Sequence, residues 1–488
     1  MILHKAGLPF AAGMLVLATA GLQCLRSPGL ESYHHRSSSE VILGKDKITS
    51  RTATFLRLGM LQMSPSFCEP WELAADSPAA RQLFGQPCPA PSIAALSGPR
   101  PPSTELLLTS PNLAPPGVAE VSLVCRSSDL FDERRGIVLH PEEREKASER
   151  LAWASARWDS DLVLESPVGL RIHGGSSRGG PMKSFALVFR EEYSGHPLSP
   201  PGLFFGSEAP PVPRLLLVTA YETSQFNNVL ATEIADRLGC RTSRSVPALV
   251  RLNGTEIKAP YFLCEHQSPG FVRDHYGMDP IDWKRLKLVD SEEVTESSPE
   301  FDDYRRWQRR KRTQVDLAEE ARRFDLEDLC AWVLAVTFTA TTDSDQGAYF
   351  RVHANPPGPW HCLTWDMDGA FNTGIYVYKG REVDCRRQCF ETLVGERALL
   401  FNRLCQGSSE FREYFRAFVH RKLEALNRET LLEIADRHIA MARSLPHAPQ
   451  ETISVLLQSR SFLARRHQEY FTQLEAWLDK TGHLTPAR

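Results

Sequence analysis

The hydrophobic pattern divides the chain into a β-rich part and a helical part. From about residue 105 onward, short alternating or β-branched runs such as VAEVSLVC and SFALVFR predict strands. From about residue 391 to the end, apolar residues recur at helical spacing. The pattern therefore predicts an α+β fold with an antiparallel sheet in the N-terminal part and a largely helical C-terminal part.

Two elements between these parts have clear boundaries. Residues 224–238 carry apolar side chains on one face, and Gly239 provides a stop signal, so the pattern predicts a helix. The dipeptide Asn253-Gly254 separates two largely apolar runs and predicts a β-hairpin. Glu265 ends the second of these strands.

The region before the predicted strand SFALVFR is harder to assign. Residues 141–157 are rich in charge, which favours a helix. Residues 162–165 and 168–173 are two short apolar runs, and their spacing indicates a hairpin.

The segment from Phe324 to Phe371 joins a buried helix to two strands. Apolar residues follow helical spacing from Phe324, and Asp325 is placed to cap the helix. Residues 348–352 and 360–364 predict strands, since the sequence NPPG between them is strong turn chemistry. We therefore expect an antiparallel hairpin after the helix.

Aspartates flank this hairpin. Asp343 and Asp345 precede the first strand, and Asp366 and Asp368 follow the second. Antiparallel pairing returns the chain beside its starting point, so Asp343 and Asp366 are expected at the same end. Carboxylates held close together repel unless a cation lies between them, and Mg²⁺ is a natural candidate.

A glycine-rich loop, residues 174–183, suggests phosphate binding. It offers close backbone approach, the hydroxyl of Ser177 and the cations Arg171, Arg178 and Lys183. The alternative is a solvated hairpin loop with incidental basic residues. Glu265 could hold Lys183 or a metal, or could be an exposed residue at a strand end.

Composition places the protein among ordinary globular chains. It has 488 residues, of which 42% are hydrophobic and 24% charged, and its net charge of −3 gives no electrostatic case for nucleic acid. Neither GxxxxGK[ST] nor GxGxxG occurs. The run RRWQRRKR at 305–312 is either a solvated helix face or a docking site for an acidic protein or a nucleotide.

The N-terminus predicts export. Residues 1–26 contain an uncharged stretch that indicates a signal peptide or a membrane anchor, with a buried helix as the alternative. Residues 27–104 are rich in Ser, Pro and Ala, as in a linker. In an exported chain, disulfides become possible, with Cys68–Cys88 and Cys385–Cys389 as candidates.

Five segments in order resemble the CotH kinase family, named for spore-coat protein H: DLFDERRGIVL, VGLRIHGGSSRGGPMKSFALVFREEYSG, FNNVLATEIADRLGC, VPALVRLNGTEIKAPYFLCEH and WHCLTWDMDGAF. The resemblance covers about residues 105–480, with a kinase core at 105–380 and a helical extension at 381–488. It implies an atypical protein-kinase-like fold that transfers the ATP γ-phosphoryl group to Ser or Thr of envelope, coat or extracellular proteins, with Mg²⁺ or Mn²⁺.

The resemblance also implies roles for individual residues. Lys183 would contact the nucleotide phosphates, with Glu265 as its acidic partner. Asp343 would accept or orient the substrate hydroxyl. Asp366 would bind the metal. From the residues themselves, Asp345, Gln346 or Asp368 could supply a further ligand.

One position departs from the family pattern. The family has a metal-binding Asn five residues after the catalytic Asp, and here that position is Ala348. A catalytically impaired relative that serves as a nucleotide-binding or structural surface module is therefore the alternative function. A secreted hydrolase is a third class, since paired carboxylates also serve glycoside chemistry.

Overall fold

The computed structural model describes residues 117–126, 129–130, 134, 136–144, 146–159, 161–180, 182–194, 212–220, 223–278, 280–286, 315–342, 344, 346–352, 358–372, 374–378, 381–393 and 395–482. The expected leader, the linker, the Cys68–Cys88 pair and the basic run at 305–312 lie outside these residues.

A closed β-barrel forms the N-terminal part. Its strand order is β1-β2-β3-β4-β5-β8-β6, and β6 returns to pair with β1 in parallel, while the short β7 pairs with β6. The other barrel pairings are antiparallel. The strands are β1 (Ala119–Cys125), β2 (Arg150–Trp158), β3 (Asp161–His173), β4 (Ser184–Val188), β5 (Arg214–Thr219), β6 (Ser245–Leu252), β7 (Thr255–Glu256) and β8 (Tyr261–Glu265).

The barrel has two kinds of buried face because side chains alternate along each strand. Phe185, Leu187 and Tyr261 pack with the other inward residues in the barrel interior. Phe262 and Leu249 point outward and join the main core of the helical part. The barrel and the helices are therefore joined by apolar packing.

Two sequence predictions in the barrel are wrong. Residues 150–158, expected as the second half of a helix, form β2, and only Lys146–Ser148 make a short 3₁₀ helix. The expected hairpin at 162–173 is the single strand β3, which pairs along its length with β2. Ala152, Ala154 and Ala156 of β2 alternate into the barrel interior, but small side chains among charged neighbours give a weak pattern.

The C-terminal part is helical, as predicted. The helices are α1 (Glu191–Ser194), α2 (Ser224–Leu238), α3 (Pro269–Tyr276), α4 (Leu317–Arg323), α5 (Leu326–Phe338), α6 (Gly395–Gly407), α7 (Ser409–Ala425), α8 (Arg428–Ser444) and α9 (Gln450–Gly482). Together with the barrel, they confirm the α+β class. Among these described helices, none is both long and apolar enough to cross a membrane.

Helix α5 is the centre of the helical core. Every residue from Asp328 to Phe338 is buried, so the helix is surrounded by protein. The Asp325 side chain accepts a hydrogen bond from the Asp328 amide, which confirms the predicted N-cap. Since its start is capped and its faces are covered, α5 is a fixed base for the loop that follows it.

Helix α2 connects the barrel to α5. Phe226 of α2 packs edge-to-face on Phe262 of β8, with ring centroids 5.3 Å apart. The helix ends at Gly239, as predicted, where φ is +102° and a side chain would be strained.

A three-stranded antiparallel sheet follows, with β10 (Gly347–Val352) between β9 (Pro280–Leu286) and β11 (Trp360–Thr364). Gly347 lies opposite Thr364, so the predicted hairpin is confirmed, together with its register. A two-stranded ribbon, β12 (Ile375–Tyr378) and β13 (Arg381–Asp384), precedes α6.

Candidate active site

Two segments meet at the open end of the β10–β11 hairpin. The Thr342 amide donates a hydrogen bond to the Gly369 carbonyl at 3.0 Å, and the Phe371 amide donates to the Thr339 carbonyl at 2.6 Å. A Cβ on Gly369 would lie 2.7 Å from the Thr342 carbonyl oxygen, so this close approach requires glycine. The pairing joins the loop after α5 to the segment after β11, and we call this contact the junction.

Three non-glycine residues in these segments have left-handed backbones. The φ angles are +48° at Ala340, +61° at Asp366 and +58° at Phe371. Such conformations cost about 1 kcal/mol each and concentrate at functional sites. Asp366 is itself one of the three, and aspartate adopts this conformation more readily than most residues.

Asp366 lies where the barrel meets the helical part. The Gln267 side chain, just beyond β8, donates to the Thr364 carbonyl at 3.0 Å. The Met367 amide donates to the Asn228 side chain of α2 at 2.8 Å. Asp366 is exposed and Asp368 half-buried.

Asp343 and Asp345 lie outside the described residues. Their sequence neighbours do not: Thr342 is hydrogen-bonded to Gly369, as above, and the carbonyl oxygens of Ser344 and Gln346 accept from Arg397. The sequence neighbours Thr342 and Gly369 therefore touch at this end of the hairpin, and the expected closeness of Asp343 and Asp366 stays a prediction.

An apolar patch, the outer patch, lies on the outward face of the barrel, and its residues are buried or half-buried. It is defined by residues of β4, β5 and β8: Ala186, Val188, Leu216, Val218 and Cys264.

Basic groups surround this patch. Arg171 lies directly opposite Ala186 in the β3–β4 pairing, and Arg214 lies opposite Val188. Arg214 Nη1 is 3.2 Å from His266 Nε2, and the His266 and His173 rings meet at 6.4 Å. An apolar patch with a cationic rim suits a ligand with a flat apolar body and an anionic tail.

Lys183 is enclosed at the end of the barrel. Its side chain is 0% exposed, and Nζ donates to the carbonyl oxygens of Arg178 at 2.6 Å and Gly180 at 2.7 Å. Burial lowers the pKa of Lys183 to about 8, and the charge of Glu142 partly opposes this. To reach a phosphate, the ammonium would have to leave these two carbonyls.

Glu265 lies away from Lys183, so their expected ion pair is not formed. Glu265 is opposite Leu215, which is opposite Leu187, so Glu265 is level with a position four residues beyond Lys183. That offset is about 13 Å along a strand.

Glu265 instead contacts Arg244, just before β6, and His275 of α3. The Glu265 carboxylate accepts from the Arg244 amide at 2.9 Å, and Oε1 lies 2.7 Å from His275 Nε2. Glu265 is also buried, contrary to the alternative of an exposed strand end.

The glycine-rich loop is held by its own arginine. Arg178 donates from Nε to the Gly174 carbonyl at 2.6 Å and from Nη1 to the Pro141 carbonyl at 2.7 Å. Ser177 is exposed. Arg178 therefore fixes the loop, whereas Arg171 faces the patch.

Ala348 occupies a strand and packs in a small apolar core. It is 0% exposed and clusters with Phe271, Val272, Phe350 and Leu363. An amide here would face hydrocarbon, so the position at which the family resemblance implies a metal-binding Asn is built into the β10 core.

A further group of three side chains has metal-ligand character. Asp325, Asp328 and His361 place ligand atoms within 4.8 Å of one another. His361 Nδ1 is 3.1 Å from both carboxylates, and Arg241 pairs with Asp328. His361 and Arg241 already pair with the two carboxylates of this cluster. We therefore assign the cluster a structural role at the start of α5.

The sequence matches the family described as CotH kinase protein over residues 170–480, from β3 to the last helix. This chain belongs to the CotH kinase family. The matched region contains Lys183, Asp343, Asp366 and both segments of the junction. The family assignment indicates phosphotransferase chemistry with ATP.

Other comparisons add little. No curated protein matches the sequence significantly. A crystal structure of the Helicobacter pylori proinflammatory kinase CtkA aligns over 55% of this chain and 91% of that chain, with 10% identity and a TM-score of 0.29. A score this low carries no argument about function.

Sequence reasoning missed the patch, its rim residues Arg214 and His266, and the buried Arg397. The alternation in β4 and β5 contained the signal for the patch, since Ala186 and Val188 share one face.

Proposed function

We propose that this chain is a protein kinase of the CotH family that transfers the ATP γ-phosphoryl group to Ser or Thr hydroxyls of proteins. The Thr342–Gly369 contact carries the proposal, because it joins the neighbours of Asp343 and Asp368 inside the family-matched region. Phosphoryl transfer is mostly positioning and charge stabilisation, so a small set of carboxylates and cations is sufficient.

In this proposal, ATP binds between the outer patch and the junction. Leu216 and Cys264 offer apolar contact to the base, and Arg171 and Arg214 offer positive charge to the phosphates. Lys183 would then support the barrel end and the glycine-rich loop. This differs from the role that the family resemblance implied for Lys183.

The carboxylates suit a hard divalent cation. Asp366 and Asp368, with Asp345 from the loop before β10, would provide the oxygen ligands that Mg²⁺ or Mn²⁺ takes. When bound, such an ion neutralises negative charge on the phosphates. Asp343 would accept or orient the proton of the substrate hydroxyl.

The substrates proposed are envelope, coat or extracellular proteins, reached by export through residues 1–26. The support for this location is the uncharged N-terminal stretch and its flanking residues His4, Lys5 and Arg26.

A second candidate is a nucleotide-binding or structural module without transfer activity. Two observations favour it: the Lys183 ammonium is occupied by carbonyl oxygens, and Ala348, where the resemblance implies a metal-binding Asn, is buried among apolar side chains. Both candidates have the same fold and the same outer patch, but only the first transfers phosphate.

The test is phosphate transfer from labelled ATP by the full chain, with Mg²⁺ or Mn²⁺, to itself and to a general protein substrate. Asp366→Ala should abolish transfer, whereas Asp436→Ala, which removes an exposed ion pair with Arg460, should not. ATP-dependent thermal stabilisation without transfer would favour the second candidate.

A further inference from the structure

A buried arginine lies beneath the loop that leads into β10. Arg397 of α6 is 0% exposed, and its Cζ lies 4.3 Å from the centroid of the Trp332 ring in α5. Nη2 donates to the Gln346 carbonyl at 2.7 Å and to the Ser344 carbonyl at 3.4 Å. The guanidinium therefore contacts the backbone on both sides of Asp345.

A buried guanidinium is costly unless its charge is compensated. Arginine stays protonated in proteins, so neutralisation does not remove this cost. An aliphatic side chain would pack against Trp332 without it. The carbonyl oxygens and the aromatic ring supply part of the compensation, and in return the loop backbone is held in place.

The same contact fixes the start of β10. Gly347 has φ +148°, and a Cβ there would lie 2.2 Å from the Leu363 carbonyl oxygen and 3.2 Å from Arg397 Nη1. The backbone at Gly347 is therefore confined between β11 and Arg397. The other end of the loop is fixed by the Thr342–Gly369 hydrogen bond.

We propose that Arg397 is a positioning residue for phosphoryl transfer, acting by anchoring the carbonyls of Ser344 and Gln346. This role rests on the proposed function, because positioning matters only if the loop takes part in catalysis. It is separate from substrate contact, since Arg397 lies fully inside the protein. Its loss should lower kcat while leaving the KM for ATP nearly unchanged.

The experiment compares wild type with Arg397→Lys and Arg397→Gln in the full chain. Lysine keeps the charge but cannot span two carbonyls in a fork, and glutamine keeps an N–H donor without the charge. Arg403→Lys is the matched control, because Arg403 lies on the same helix and pairs with Glu320 at 3.0 Å. Thermal melts identify the variants that remain folded.

Two readouts are taken from the folded variants. Hydrogen exchange of peptides covering 339–347 should quicken about tenfold in an Arg397 variant. kcat should fall about 10- to 100-fold, as expected when a reacting group is displaced by up to about 1 Å. Arg403→Lys should change neither.

The outcomes separate this inference from the proposed function. Unchanged exchange in the loop, or faster exchange with unchanged kcat, overturns the positioning role in an active enzyme. A wild type that transfers no phosphate overturns the proposed function, and the positioning role is then overturned with it. Faster exchange with lower kcat and an unmoved KM supports the inference.

Discussion

The Lys183 ammonium donates a hydrogen bond to the Gly180 carbonyl at 2.7 Å, inside the end of the barrel. This contact and its counterpart to Arg178 make Lys183 part of the loop that closes the barrel. The lysine that sequence motifs assign to the nucleotide thus has a structural environment, and its ionisation can be tested directly.

We predict that Lys183→Met changes the pH dependence of stability. Burial lowers the pKa of Lys183 to about 8 from a usual 10.5, so the folded state binds the proton less tightly than the unfolded state. The wild type should therefore gain stability as pH rises from about 8 to 10.5, by up to about 3 kcal/mol.

The measurement for Lys183 is urea unfolding of both proteins at several pH values. Lys183→Met should lack this gain. The free energy of unfolding of the wild type should therefore rise relative to that of Lys183→Met as pH rises. A difference that stays constant from pH 8 to 10.5 would contradict the account of Lys183.

We predict that Ala348→Asn destabilises the protein and does not raise activity. The new amide would be buried among Phe350, Leu363 and the α3 side chains, at a cost of about 2 kcal/mol. Thermal unfolding and transfer assays check both parts. Increased transfer by Ala348→Asn would show instead that the position faces a metal, as the family pattern suggests.

The segment from Phe324 to Phe371 shows how far sequence alone reaches. The Asp325 cap, the two strands and their antiparallel register follow from helical spacing, turn residues and alternation, which are local signals. The burial of Ala348 and the Arg397 contact depend on α3 and α6, which approach from distant parts of the chain.

The barrel gives a similar lesson. The alternation in β4 identified its strand, but closure through β1 and β6 is a parallel pairing without a local signal. The Lys183–Glu265 pair was expected from residue types, and the strand register separates the two residues. Charges around residues 141–157 suggested a helix, whereas the tertiary pairing with β1 and β3 makes residues 150–158 a strand.

We predict that Leu216→Ala weakens ATP binding about fivefold, since it removes roughly 1 kcal/mol of apolar contact from the outer patch. Isothermal titration of ATP and of adenosine should show equal losses, because the contact is to the base. Leu457→Ala, on the exposed surface of α9, is the control. Equal affinities for wild type and Leu216→Ala would exclude the patch as the base site.

We predict a pH effect at the start of α5. Burial disfavours the His361 imidazolium, but hydrogen bonds with Asp325 and Asp328 outweigh it and raise the pKa of His361 above its usual value. A raised pKa in the folded state stabilises the protein at low pH, and this contribution is lost as pH rises through that pKa.

The comparison for His361 is wild type with His361→Gln. The stability advantage of wild type, about 2 kcal/mol near pH 5.5, should shrink toward pH 8.5. If a divalent metal rather than a proton occupies this cluster, the advantage will grow with pH and disappear with a chelator.

The central claim is that the junction between the α5 loop and the segment after β11 transfers phosphate. The most direct measurement is labelled phosphate transferred from [γ-³²P]ATP by the full chain with Mn²⁺ or Mg²⁺, for wild type, Asp343→Asn and Asp366→Asn. We expect metal-dependent transfer by wild type and a loss of about 100-fold or more in each variant. Absent transfer by wild type, or equal transfer by all three proteins, would contradict the account.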